Sequence, residues 1–349
     1  MQIDRHIISE NATLSEALRM LNDLSGGVMT LIAVNDGNRM TGTLTDGDVR
    51  RALLSGIGLD APVASAMFRR FHALKEDCID PAEVREIRRR GIRLIPVLDN
   101  EGRVVRMIDT CLTRTVLPVR AVLMAGGKGE RLRPMTLTTP KPLLEIGGKA
   151  IIDYNIEALA AVGVNDISVT VNYLAEQLEE HFATPVAGVS VKCVRETKAL
   201  GTIGSVALVD LPEEGETIVM NSDLLTTVSF EDLYLRHTSE QADVTIAVVS
   251  YNVTVPYAIL ATEGERVLSL EEKPSYSYYA NAGIYLFSNR LLRRLDRESR
   301  MDAPDLIGQA IAEGLKVTYY PINGTWIDIG SPADFAHARE LMAHVRQTR

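Results

Sequence analysis

Apolar residues at Leu14, Ala17, Leu18 and Leu21 recur at helical spacing and predict a helix from Thr13 to Leu24. An apolar run from Val28 to Val34, a turn at Asn35-Asp36-Gly37-Asn38 and a second short strand from Met40 to Leu44 follow. Thr45-Asp46-Gly47-Asp48 is a helix start running into Val49 to Leu54. The same order returns further on, with a helical stretch at Pro81 to Arg90 and a strand at Ile92 to Leu98. A turn at Asp99-Asn100-Glu101-Gly102 then leads to a return strand at Val104 to Ile108. An internal repeat of this size predicts two units packed together by their sheets.

After Thr115-Val116-Leu117-Pro118 the pattern changes. Val119 to Met124 reads as a short, mostly apolar strand of the kind buried in a parallel sheet. Helix at Ile151 to Val162, strand at Ile167 to Val171, helix at Leu174 to Phe182 and strand at Ser190 to Val194 then alternate. Further strands are predicted at Thr217 to Met220 and Val244 to Val249. Alternation of this kind predicts an α/β domain with right-handed crossovers, spanning residues 118–349, after an α+β pair spanning residues 1–117.

The chain has 349 residues, which leads us to expect two cores. Its formal net charge of -9 argues against a general nucleic-acid binder, which needs a basic surface, though a few local cations suffice for a small anionic substrate. Cys78, Cys111 and Cys193 form no CxxC pair and fit a reducing compartment. The start MQIDRHIISE lacks a signal layout, and no apolar run reaches membrane-spanning length, so the expected location is the cytosol, with no membrane partner. Arg85, Arg88, Arg89, Arg90 and Arg93 form a basic patch, read as a solvated helix face or a phosphate rim.

The repeat resembles a pair of CBS modules, most closely at Gly42-Thr43-Leu44-Thr45-Asp46-Gly47-Asp48. The resemblance implies an adenine nucleotide whose phosphate meets the Thr45 hydroxyl and whose ribose meets the Asp48 carboxylate, which accepts from two hydroxyls at once. In the second corner Asp109 keeps the acid, while Arg106 stands where the hydroxyl is expected. Helix capping by Thr45 and Asp48 is the competing reading. Paired modules of this kind often associate, which implies a homodimer or homotetramer.

The strand at Val119 ends in Ala125-Gly126-Gly127-Lys128-Gly129-Glu130-Arg131-Leu132-Arg133-Pro134. Glycines let backbone N–H groups approach phosphates closely at a strand end, yet the loop has neither GK[ST] nor GxGxxG. Its continuation, Thr138-Thr139-Pro140-Lys141-Pro142-Leu143-Leu144-Glu145-Ile146-Gly147-Gly148, sharpens the picture. Together these residues resemble the sugar-phosphate nucleotidyltransferase family over about residues 119–345, which implies a Rossmann-like domain with a mixed, mostly parallel sheet. The implied reaction is attack by a sugar 1-phosphate on the α-phosphorus of a nucleoside triphosphate, with pyrophosphate leaving. By the resemblance, Ala125, Gly126, Gly127 and Gly129 bind the nucleotide, Arg131 holds the departing pyrophosphate and Lys141 counters charge at the α-phosphate. Asp223 and Asp328 are implied ligands of Mg²⁺, with Ser222 standing where the family usually has Gly. Glu272, Lys273, Asn281 and Gly283 are implied to hold the sugar and its phosphate, with Tyr257 and Ala258 at the border.

The segment from Glu196 to Gly204 resembles the family loop that grips the base, so Glu196 and Gly201 are base-site candidates. A carboxylate only accepts hydrogen bonds, which complements the N1–H and N2–H₂ edge of guanine better than the alternating edge of uracil. GTP is therefore the expected donor, with UTP or dTTP as alternatives. The fusion to CBS modules resembles guanylyltransferases acting on glucosamine 1-phosphate, with mannose and heptose 1-phosphates also open. A catalytically inactive nucleotide-sensing regulator is the reading from another class.

Overall fold

In the computed structural model, which describes residues 3–76 and 78–347, the sequence repeat becomes two units of matching topology. The first comprises β1 (Ile7–Ser9), α1 (Leu14–Asp23), β2 (Thr30–Val34), β3 (Met40–Thr45) and α2 (Asp46–Leu54). The second comprises β4 (Leu74–Lys75), α3 (Pro81–Arg89), β5 (Leu94–Leu98) and β6 (Val104–Asp109). Each sheet pairs its first two strands parallel and its last two antiparallel.

The register of the two sheets is the same, carrying Thr30 opposite Thr45 to Leu94 opposite Asp109. The hairpin turns also correspond. Asn35 Oδ1 accepts from the N–H groups of Gly37 and Arg39, and Asp99 Oδ1 accepts from those of Glu101 and Arg103. Thr13 and Glu16 form a capping box that starts α1, worth about 1 kcal/mol. Leu14, Ala17 and Leu21 then face the sheet and are fully buried. Ile32, Met40, Leu94 and Met107 share one core between the two sheets, as the repeat predicts.

This register corrects the alignment of the two corners made from sequence. Asp109 occupies the place of Thr45, not of Asp48, and Arg106 occupies the place of Gly42. The place of Asp48 falls on Leu112, which is 74% exposed. After β6 the chain turns at once, the Asp109 carboxylate accepting from the Cys111 N–H, and no helix follows before the next strand. In the first corner, the Thr45 hydroxyl donates to Asp48 Oδ2 at 2.6 Å and accepts from the Asp48 N–H, and Asp48 also pairs with Arg51. Both side chains are thus engaged in starting α2.

By its contacts the chain divides into two compact units, residues 1–117 with 161–163, and residues 118–160 with 164–349. The larger unit begins with β7 (Val119–Ala125), a small hairpin of β8 (Glu145–Ile146) and β9 (Lys149–Ala150), and α4 (Ile151–Ala160). β10 (Ile167–Val171), α5 (Ala175–His181), β11 (Val191–Arg195), β12 (Glu216–Asn221), β13 (Leu224–Thr226) and α6 (Phe230–Glu240) continue it. Then come β14 (Val244–Thr254), β15 (Ile259–Glu263), β16 (Arg266–Glu271), β17 (Ser275–Ser288), α7 (Asn289–Leu292) and α8 (Ala303–Ala312). β18 (Val317–Pro321), β19 (Trp326–Asp328) and α9 (Pro332–Gln347) complete it.

Seven strands form the central sheet in the order β11-β10-β7-β12-β17-β14-β18. Only β17 runs antiparallel to its neighbours, so the sheet is mixed and mostly parallel. Val122, Val219, Tyr285 and Phe287 on one face pack against Leu291, Leu306 and Ile307 of α7 and α8. A smaller core joins Ile151, Leu225, Ile329 and Ala338 below the loops at the strand ends. No helix among the described residues is long and apolar enough to cross a membrane.

His237 on α6 is a buried polar anchor of this sheet, its Nδ1 lying 2.8 Å from the Thr245 hydroxyl of β14. Burial pushes its pKa down from 6.5 to about 4, against the weaker pull of Asp243. Between those values the unfolded chain binds a proton that the folded chain refuses. The contribution is therefore intact above about pH 6.5 and lost as the pH falls towards 4, on the order of 2–3 kcal/mol. Urea unfolding across this window should show a steeper loss for the wild type than for His237→Gln. Equal slopes would remove His237 as the cause.

Candidate active site

Three strand ends converge on one cleft. β7 ends at Ala125 and releases the chain into Gly126-Gly127-Lys128-Gly129, followed by a single 3-10 turn, Glu130–Leu132, that carries Arg131. Beside it β12 ends at Asn221, and the tight turn Ser222-Asp223 leads back into β13. β10 supplies Thr170 and, just beyond its end, Asn172. The resulting cleft of about 730 Å³ lies outside the carboxyl ends of the parallel strands, where α/β sheets bind ligands. It is lined by Ala125, Gly126, Gly127, Gly129, Arg131, Lys141, Glu196, Gly201 and Asp223, all expected from sequence.

The acidic pair is set by strand pairing. Leu224 of β13 lies opposite Asp328 of β19, so Asp223, one residue earlier, comes to stand beside Asp328. The Ile329 N–H donates to the Asp223 carbonyl and fixes that alignment. Asn155 of α4 is buried and donates to the carbonyls of Ser222 and Leu224, bracketing Asp223. Stranding those buried carbonyls would cost about 1–3 kcal/mol each, so Asn155 is a strong constraint on the turn. Ser222, at the position where glycine is usual, is itself buried. Its hydroxyl donates to the Met124 carbonyl at 2.7 Å and ties the turn to β7.

Lys141 sits between the two acids. Its ammonium pairs with Asp223 Oδ2 and stands 3.8 Å from Asp328 Oδ1. Burial, then the Asp223 charge, raises the Asp328 pKa, while Lys141 and Arg131 work in the other direction. Arg131 lies over Gly330, with guanidinium atoms 3.4 to 3.6 Å from where a Cβ would stand, beside the same acids. Asp223 Oδ1 is buried and has no hydrogen-bond partner. An orphaned carboxylate oxygen next to a second carboxylate is a donor set that suits a hard divalent cation completed by phosphate oxygens, so the residues fit Mg²⁺.

At the opposite end of the cleft stands Glu196, which is 9% exposed. Its Oε2 accepts from the Leu200 N–H at 3.2 Å, and Asn172 also bonds to the carboxylate. Desolvation nevertheless dominates and raises its pKa. Its Oε1 lies 2.5 Å from where a Cβ on Gly126 would stand, so any larger residue there would displace the Glu196 carboxylate. The loop after it is fixed from behind. Met301 exchanges backbone bonds with Leu200, Ile203 and Gly204, and Asp302 accepts from the Thr202 N–H. Arg300, paired with Asp302, and Asp302 itself line this end. Sequence reasoning passed over both, because their approach depends on a contact between distant segments.

Gly283 has φ of +69°, and a Cβ there would meet Asn221 Nδ2 at 2.5 Å. Asn281 accepts from the Gly283 N–H and donates to the Tyr285 hydroxyl, holding this bend against the cleft residue Asn221. Glu272 and Lys273 are exposed and do not line the cleft, and Tyr257 and Ala258 are exposed as well. Lys273 has φ of +46°, the left-handed conformation that turns the chain from β16 into β17. Among the described residues no group of three or more His, Cys, Asp or Glu gathers as a metal site, so any ion here relies on the pair and on substrate oxygens.

Residues 120–344 match the profile of the nucleotidyl transferase family, and residues 1–55 match that of the CBS domain. A mannose-1-phosphate guanylyltransferase catalytic subunit beta of Dictyostelium discoideum is 34% identical over 226 residues, covering 62% of each chain. The subunit of the same description from Danio rerio is 33% identical over 226 residues, again 62% of each chain. This chain thus spans about 62% of the length of these relatives. A Bacillus anthracis protein assigned as a glucose-1-phosphate thymidylyltransferase shares the fold, with a TM-score of 0.50 and 22% identity over 64% of this chain and 94% of that one. The glycine loop, the lysine held by two acids and the profile match over most of the chain agree: this protein belongs to the nucleotidyl transferase family.

Proposed function

We propose that this protein transfers a guanylyl group from GTP to a hexose 1-phosphate, releasing pyrophosphate and forming a GDP-sugar. The observation that carries the choice of base is Glu196, a buried carboxylate with spare acceptor capacity facing the cleft. Guanine offers it two adjacent donors, whereas uracil and thymine offer one donor flanked by acceptors. The names of the relatives from Dictyostelium and Danio favour mannose 1-phosphate as acceptor. The resemblance of the CBS fusion keeps glucosamine 1-phosphate as the second candidate.

The reaction needs positioning and charge control more than covalent chemistry. A phosphate oxygen of the sugar 1-phosphate attacks the α-phosphorus, a new P–O bond forms, and the bond to the bridging oxygen of the β-phosphate breaks. The backbone of Gly126 to Gly129 supports the phosphate chain, and Arg131 takes charge on the departing pyrophosphate. Lys141, released from the acids, faces the charge gathering at the α-phosphate. Asp223 and Asp328 would hold Mg²⁺, which supplies charge neutralisation to the phosphates when bound.

Pyrophosphate release with each of four nucleoside triphosphates and a panel of hexose 1-phosphates tests the proposal. GTP should exceed UTP by at least ~10-fold in kcat/KM, the worth of about one well-placed hydrogen-bond pair. Glu196→Gln should narrow or reverse that preference. Release with UTP or dTTP alone would discard the base assignment, and no release from any pair would leave a nucleotide-binding protein without transfer.

The raised Glu196 pKa gives a signature in pH. Only the carboxylate accepts both guanine donors, so GTP affinity should fall as the pH drops through a value above the ordinary glutamate range. Glu196→Gln should lose this step, and a step unchanged in that variant would clear Glu196 of it. Lys141→Met should lower kcat by about 10²–10³ with little change in the sugar KM, as expected for a group that acts in the transition state. Normal turnover in that variant would sink the role given to Lys141.

A further inference from the structure

Leu200 faces two ways. Its N–H donates to Glu196 Oε2, and its carbonyl accepts from the Met301 N–H at 2.9 Å. One residue of the loop thus stands between the buried carboxylate and residues 299–301, which arrive from far along the chain. Met301 returns the contact, its carbonyl accepting from the Ile203 and Gly204 N–H groups at 3.1 Å each. The packing is close. A side chain at Gly201 would run into the Met301 carbonyl, and one at Gly204 would stand 3.1 Å from the Met301 nitrogen. Asp302 completes the join: its Oδ1 accepts from the Thr202 N–H at 2.8 Å, and the Thr202 hydroxyl accepts from the Ala303 N–H at 2.8 Å.

The Arg300 side chain takes no part in that join. It lines the cleft with Glu196 and Asp302, and it is 72% exposed. One nitrogen, Nη2, donates to Asp302 Oδ2 at 3.0 Å, the oxygen that Thr202 does not use. That bond steadies the arm at the rim. A guanidinium carries five N–H donors in a fixed fork, so most of them stay available to a ligand. Asp302 already balances the charge, which makes Arg300 a better match for neutral acceptors than for phosphates. The cations that suit phosphates, Lys141 and Arg131, stand at the other end of the cleft.

We propose that Arg300 is a second specificity residue for the base, donating to the O6 and N7 acceptors of guanine while Glu196 accepts from N1–H and N2–H₂. The proposal rests on the guanylyl reading of the cleft and deepens it. The two sets of base atoms lie on adjacent edges of one ring. Correspondingly, Glu196 and the segment carrying Arg300 meet the two backbone groups of one residue, Leu200. An arginine fork matches O6 and N7 in spacing, the pairing by which arginine reads guanine in nucleic-acid grooves. Adenine keeps N7 but carries a donor in place of O6, and uracil and thymine have no N7. Each therefore loses at least one of the two bonds. Glu196 selects on one edge only, and Arg300 adds an independent selection on the other.

The test is equilibrium binding of GTP, 7-deaza-GTP, ITP and UTP to the full chain, with Mg²⁺ and without a sugar phosphate. 7-Deaza-GTP lacks only the N7 acceptor, and ITP lacks only the N2–H₂ donors. The unaltered protein should bind 7-deaza-GTP about 5–10-fold more weakly than GTP, the worth of one hydrogen bond. Arg300→Met should bind GTP at least as weakly as the unaltered protein binds 7-deaza-GTP, and should no longer distinguish the two. Its preference for GTP over ITP, which Glu196 sets, should persist. Equal affinity of the unaltered protein for GTP and 7-deaza-GTP would overturn the proposal alone, as would an Arg300→Met chain that weakens both by one factor. A preference for UTP over GTP would overturn it together with the base assignment. Equal binding of ITP and GTP, with the 7-deaza difference intact, would remove Glu196 and support Arg300. Should the substituted chain fail to fold, the analogue series on the unaltered protein decides alone.

Discussion

Two carboxylates brought side by side in a partly buried cleft repel one another, and the site depends on what answers that repulsion. Here the answer is the Lys141 ammonium, paired with Asp223 and within 4 Å of Asp328. The arrangement spans the chain. The lysine comes from a loop after β7, one acid from the end of β12 and the other from β19 near the C-terminus. Their meeting requires the β13–β19 pairing, the Asn155 bracket and the Ser222 tie, so much of the larger unit serves to hold a few charged atoms in register. The pairing leaves one acid oxygen, Asp223 Oδ1, buried without a hydrogen-bond partner.

The two ends of the cleft solve different problems. The acidic end has surplus negative charge matched by Lys141 and Arg131, and suits phosphates accompanied by a metal. The Glu196 end has one carboxylate raised in pKa by burial and answered by only two hydrogen-bond donors, and suits a neutral ring with donors of its own. The glycine loop runs between them, with Gly126 against Glu196 and Gly129 against Lys141. On the proposed function, a nucleoside triphosphate would lie from one end to the other.

Much of this was legible beforehand. The repeat and its hairpin turns follow from local patterns, as do β7, β10 and β12, because buried strands and turn residues announce themselves within a few positions. The register of the second repeat was not. Matching Arg106-to-Asp109 against Thr45-to-Asp48 keeps the spacing of residue types, whereas the hydrogen-bond ladder aligns Asp109 with Thr45. Spacing within a motif does not reveal which rung of a sheet it stands on. Asn155, Arg300 and Asp302 were invisible for a related reason, since each acts across segments far apart in sequence. Ser222 was noticed as a departure, but its use as a tie to Met124 needed the fold. Glu272 and Lys273, taken from the resemblance, stand exposed outside the cleft lining.

The contact between Gly126 and Glu196 links two parts of the site that chemistry would treat as separate. Glu196 Oε1, the proposed base contact, rests directly on the backbone of Gly126 in the proposed phosphate loop, with no Cβ between them. A lineage that changes its base therefore has few routes open. An isosteric Gln at this position would leave the floor undisturbed, but a bulkier residue would press on the glycine loop and, on the proposed function, shift the α-phosphorus. On the proposed function, drift in donor choice and drift in turnover would become a single trait, coupled through Gly126 and Glu196.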